Sequence, residues 1–173
     1  MNKKFSFAAI MTALTLVCLF GSAYIPTGKI ALLAMTSMCT LVTTQRCGVR
    51  YAWLQYAAVS LLALLLIPAK GQVFLFIALT GYYPIVKLHI ENINNIYIEW
   101  IVKILFFTAL LIVMFFILKF FILNYLSLGV LVNFVITNVA LSVLTGEIVF
   151  ILYDYILSLF AFYYVRVIEP KLK

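Results

Sequence analysis

The chain has 173 residues, 67% of them hydrophobic and only 10% charged, with 12 Lys and Arg against 5 Asp and Glu for a formal net charge of +7. Soluble domains carry about 25% charged residues, so this composition, with a mean hydropathy of +1.22, excludes an ordinary soluble domain and leaves no room for a separate catalytic one. The positive charge is read as loop lysines and arginines facing anionic lipid, and no nucleic-acid partner is expected. The length suits one integral membrane domain over residues 1–173: an all-α, polytopic bundle of about six helices at roughly 20 residues each.

In chain order, the first span is expected at 5–25. Lys3 and Lys4 ahead of an apolar run that ends in Gly21-Ser22-Ala23 imitate a signal peptide, but the spans that follow favour an uncleaved helix. Ala9 and Ala13 form a small-xxx-small pair, a spacing that lets another helix approach closely. Gly28-Lys29 has the end of a phosphate-binding loop without its frame, since Ala23 stands where glycine is needed and Ile30 where Ser or Thr is needed. The second span, 30–44, is short and rich in Ala, Thr, Ser and Met, which marks it as facing protein rather than lipid. Gln45 to Arg50 reads as a tight basic loop and 51–67 as the third span, closed by Pro68.

The fourth span, 73–90, carries Gly81-Tyr82-Tyr83-Pro84 in its middle. Proline and glycine at membrane depth imply a kink with freed carbonyls that must find partners. Lys87, His89 and Glu91 mark its exit. In the fifth span, 97–123, Glu99 and Lys103 stand four apart in the favourable order and are expected to pair at the interface. Residues 124–144 read as an outer connection, partly helical, that carries Asn133, Thr137 and Asn138. Cys18, Cys39 and Cys47 have no CxxC or metal-ligand spacing, so neither a disulfide nor a metal site is expected.

The sixth span, 145–165, holds Glu147 and Asp154 among aliphatic and aromatic residues. A charge at the bilayer centre costs about 3 kcal/mol on insertion scales. Seven residues apart, the two acids project within about 20° of each other and roughly 10 Å apart along the axis. Two readings stand side by side. The acids either serve a solute site, or they form a structural polar seam satisfied by a lysine or a hydroxyl from neighbouring helices.

Charge bias orients the bundle. With both termini cytoplasmic, Lys3, Lys4, Arg46, Arg50, Lys87, Lys103, Arg166, Lys171 and Lys173 fall inside, and Lys29, Lys70 and Lys119 outside. The single histidine, His89, has no catalytic partner, and no HExxH, nucleophile pair, acidic metal cluster or nucleotide loop is present, so no enzyme and no cofactor are expected. What remains is an outer pocket, for which Tyr82, Tyr83, Asn133, Asn138 and Glu147, with Asp154 deeper, are the candidate solute ligands.

The size, six spans, cytoplasmic termini and the Ala9/Ala13 pair resemble the substrate-binding S components of energy-coupling-factor vitamin transporters. That resemblance implies that the alanine face of the first helix docks on a transmembrane coupling subunit driven by ATPase subunits. It also implies that the outer loops and last three helices bind a small solute in a cell-membrane complex. The rod-shape membrane proteins of the MreD type are similar in architecture and imply a scaffold without a ligand. Their usual acidic residue after the third span has no counterpart here, where Leu64 to Ile67 run into Pro68.

Overall fold

The computed structural model describes residues 3–25, 28–91, 96–125 and 139–168, with backbone alone at 96, 98, 114–125, 139–142 and 167–168. All regular structure among these residues is helical. The chain divides into two units, residues 1–92 with 156–173, and residues 93–155.

In the first unit, α1 (Lys3–Tyr24), α2 (Lys29–Cys47) and α3 (Val49–Leu66) pack on one another. The inner helix is α2, which buries Leu33, Thr36, Ser37, Thr40, Leu41 and Thr43. Its hydroxyls are satisfied by its own backbone: Thr36 donates to the Leu33 carbonyl at 2.6 Å, Thr40 to Thr36 at 3.1 Å and Thr44 to Thr40 at 2.7 Å. A helix this rich in hydroxyls can sit inside a bundle because these hydroxyls are closed locally. The basic loop expected over Gln45 to Arg50 shrinks to Gly48 alone. Its φ of 98° lies in the left-handed region, where glycine carries no Cβ penalty, so α2 passes directly into α3. At the other end, α3 stops at Ile67, held extended at φ −97° and ψ 118° by the proline that follows it.

The fourth segment is bent by a change of helix type. α4 (Lys70–Leu75) runs into a π-helical turn, Phe76–Thr80, and α5 (Tyr83–Ile90) resumes the α-helix with Pro84 in its first turn. Pro84 offers no N–H to the carbonyl four residues back, and the wider turn absorbs the mismatch, closing with Gly81 N donating to the Phe76 carbonyl at 2.7 Å. The core beneath is Leu19, Leu33, Val59, Ala63, Ile67, Val73 and Phe76.

The second unit is built on α6 (Ile96–Tyr125) and α7 (Val139–Tyr163), and α7 continues into the first unit, ending in a π-helical turn at Tyr164–Ile168. The connection expected over 124–144 is therefore helical at both ends. Phe107 stacks on Phe150 with centroids 3.9 Å apart, and Gly146 admits Leu111, whose Cδ1 would lie 3.1 Å from a Cβ placed there. Lys103 meets Asp154 in the same series, so contacts that climb α6 descend α7, as in an antiparallel pair.

Four stretches among the described residues are long and apolar enough to cross a membrane: Lys3–Tyr24, Val49–Leu66, Lys70–Ile90 and Val143–Arg166.

Candidate functional site

The polar seam of the second unit is supplied by α6 and α7. Glu99, Lys103 and Thr108 come from α6, and Glu147 and Asp154 from α7. Lys103 Nζ donates to Glu99 Oε1 at 2.7 Å and to Asp154 Oδ2 at 3.0 Å, with the lysine and aspartate side chains only 4% and 6% exposed. The Glu99–Lys103 pair expected from the spacing forms, with Lys103 buried beside Asp154. An ammonium placed one turn from a glutamate on its own helix also reaches the aspartate across the helix pair. A charge at this depth is costly unless paired and hydrogen-bonded, and Asp154 has that partner in Lys103.

Glu147 sits differently. It is partly buried, and its Oε1 accepts from the Thr108 hydroxyl at 2.5 Å. The same hydroxyl lies 2.8 Å from the Ile104 carbonyl, and its single proton serves one acceptor at a time. Among the described residues no cation reaches Glu147, whereas Asp154 has one. The two acids predicted to share a face are therefore in different electrostatic situations on the same helix.

Tyr82 and Tyr83 belong to the first unit. Tyr83 is fully buried in the packing, and Tyr82 is partly buried, edge-on to Tyr56 at 6.1 Å. The freed carbonyl expected near Gly81 has a partner in Tyr56, whose hydroxyl donates to the Ile77 carbonyl at 2.9 Å. Asn133 and Asn138 lie outside the described residues.

Ala9 and Ala13 are both exposed on α1. Ala9 lines a groove of about 260 Å³ between α1 and α3, together with Ala8, Thr12, Gln55 and Ala58. Gln55 is 2% exposed and donates through Nε2 to Thr15 Oγ1 at 2.8 Å. The Thr15 proton is committed to the Met11 carbonyl at 2.7 Å, so the Gln55 Oε1 faces away from that contact and has no donor among the described residues.

Sequence reading missed a second buried lysine. Lys87 is 0% exposed, pairs with Glu91 at 2.7 Å on its own helix and donates to Ser158 Oγ on α7 at 2.7 Å. The i,i+4 spacing of Lys87 and Glu91 was a usable signal. Neither Ser158 nor Thr108 carries any mark in the sequence that separates it from other hydroxyls in apolar helices.

No protein-family model, curated protein or solved structure matches this chain.

Proposed function

We propose that this chain is a non-catalytic, six-span membrane subunit that binds a small solute from the outer side and works with energising partner subunits. The reading resembles that of an S component, with both termini cytoplasmic. The observation that supports it is the asymmetry of the seam: Lys103 neutralises Asp154, while Glu147 is held only by a neutral hydroxyl among the described residues. A partly buried carboxylate without a cation is the group of this seam best suited to a polar or cationic solute. Asn133 and Asn138, ahead of α7 in the chain, are the further proposed solute ligands. The exposed Ala9 and Ala13 are the proposed docking face for a transmembrane coupling subunit, itself driven by ATPase subunits.

The experiment is purification of the full chain with its associated subunits from native membrane, followed by mass spectrometry of bound small molecules. A single solute class lost on Glu147→Gln supports the reading. A second reading, a membrane scaffold of the MreD type, is favoured by the extent of internal pairing around Lys103. In that case partner proteins co-purify, no solute does, and Glu147→Gln changes neither.

A further inference from the structure

Residues 93–155 contain three acids, Glu99, Glu147 and Asp154, and two lysines, Lys103 and Lys119. Lys103 is shared by Glu99 and Asp154, at 2.7 and 3.0 Å. Lys119 stands eleven residues beyond Thr108 on α6, roughly 16 Å along the axis. The segments 93–95 and 126–138 contain no charged residue. Within this unit Glu147 is the carboxylate left without a lysine. In order along α6, Lys103 meets Asp154, Phe107 stacks on Phe150, Thr108 meets Glu147, and Leu111 packs on Gly146. The aromatic stack thus comes between Glu147 and the Lys103 ammonium.

Thr108 sets what Glu147 can accept. Its Oγ1 lies 2.5 Å from Glu147 Oε1 and 2.8 Å from the Ile104 carbonyl oxygen. The hydroxyl has one proton and two lone pairs. Turned to Glu147, the proton gives the carboxylate one neutral donor. Turned to Ile104, it leaves two acceptors side by side, the carboxylate and the Thr108 oxygen. That second arrangement suits a ligand that brings several donors, no acceptor and a positive charge, which is the inventory of an alkylammonium group. A quaternary ammonium brings the charge without the N–H groups. An anion would face a carboxylate, and the described ammonium of this unit is already shared by two acids.

We propose that the solute of this site carries a protonated amine, which donates to Glu147 and Thr108 while the Thr108 proton turns to the Ile104 carbonyl. The proposal depends on the solute-binding reading above; it names the chemical class and adds Thr108 to the site.

The test uses the full chain purified in mild detergent, with n-butylammonium, tetramethylammonium and butyrate as probes and binding read by isothermal titration at constant ionic strength. The wild type is expected to bind butylammonium about tenfold or more tightly than either other probe, the worth of a charge-assisted hydrogen bond. Glu147→Gln should erase this preference. Thr108→Val should weaken butylammonium binding severalfold, and Thr108→Ser, which keeps the hydroxyl, should retain it. Tetramethylammonium or butyrate bound as tightly as butylammonium overturns the proposal, and so does no binding of butylammonium; these wild-type comparisons stand even if a variant does not fold. Unchanged binding in folded Thr108→Val removes Thr108 from the site. A co-purifying solute that depends on Glu147 but has no amine would overturn the chemical class and leave the solute reading in place, whereas no retained solute at all would remove both.

Discussion

Lys103 Nζ lies 3.0 Å from Asp154 Oδ2, joining buried side chains 51 positions apart in the sequence. The same ammonium holds Glu99 at 2.7 Å, so one cation serves two carboxylates. Removing the cation should therefore hurt more than neutralising one acid. Lys103→Met, which takes the cation away from two carboxylates, should destabilise by about 3–5 kcal/mol, the range for breaking a buried pair from one side. Asp154→Asn leaves Lys103 paired with Glu99 and should cost about 1–2 kcal/mol. Lys103→Met combined with Asp154→Leu should recover part of the larger loss. Thermal unfolding of the three variants in detergent measures this; equal losses for the two single variants would mean that Lys103 does not hold both acids.

The π-helical turn makes its own demand. A Cβ at Gly81 would lie 2.8 Å from the Phe76 carbonyl oxygen and 2.8 Å from the Tyr56 ring. Because one of those atoms is backbone, the strain cannot be relieved by a rotamer change alone. Gly81→Ala should cost about 1–3 kcal/mol as an overpacked site. Tyr56→Phe keeps the ring but removes the hydrogen bond to the Ile77 carbonyl, and should cost about 1–2 kcal/mol. Unfolding midpoints of both variants check this, and a neutral Gly81→Ala would show that the turn relaxes to an ordinary α-helix.

Part of this arrangement is legible in the sequence. Apolar runs and their turn residues give helices near α1, α3, the α4–α5 segment and α7, because hydrophobic length and proline or glycine punctuation are local properties. The Glu99–Lys103 pair is likewise set by spacing on one helix. The partner that Lys103 finds in Asp154, and Lys87 in Ser158, is not local: a lysine near the end of an apolar run looks the same whether it snorkels to water or turns inward. Gly48 shows the opposite case. A single positive φ replaces a loop of six residues, and only the backbone geometry reveals that the other five remain helical.

The exposed alanines carry a prediction about partners. Ala13→Leu adds bulk on an open face of α1 and should leave unfolding of the isolated protein within about 0.5 kcal/mol of wild type. Recovery of associated subunits from native membrane should nevertheless fall at least severalfold. Intact co-purification would remove this face from the proposed docking surface.

The proposed topology rests on nine basic residues inside and three outside. Reporter fusions after Lys70 and after Lys173 should report opposite sides of the membrane. The same side for both contradicts the six-span arrangement.

The central claim is that Glu147 serves a solute while Asp154 serves the fold. Solute retained by the purified full chain, quantified by mass spectrometry for wild type, Glu147→Gln and Asp154→Asn alongside their unfolding midpoints, tests it most directly. Glu147→Gln should lower retention about tenfold or more, the worth of a charge-assisted hydrogen bond, with little change in midpoint. Asp154→Asn should lower the midpoint and leave the retention of folded protein near wild type. Unchanged retention in Glu147→Gln, or no retained solute in the wild type, would contradict the account and leave the internally paired scaffold in its place.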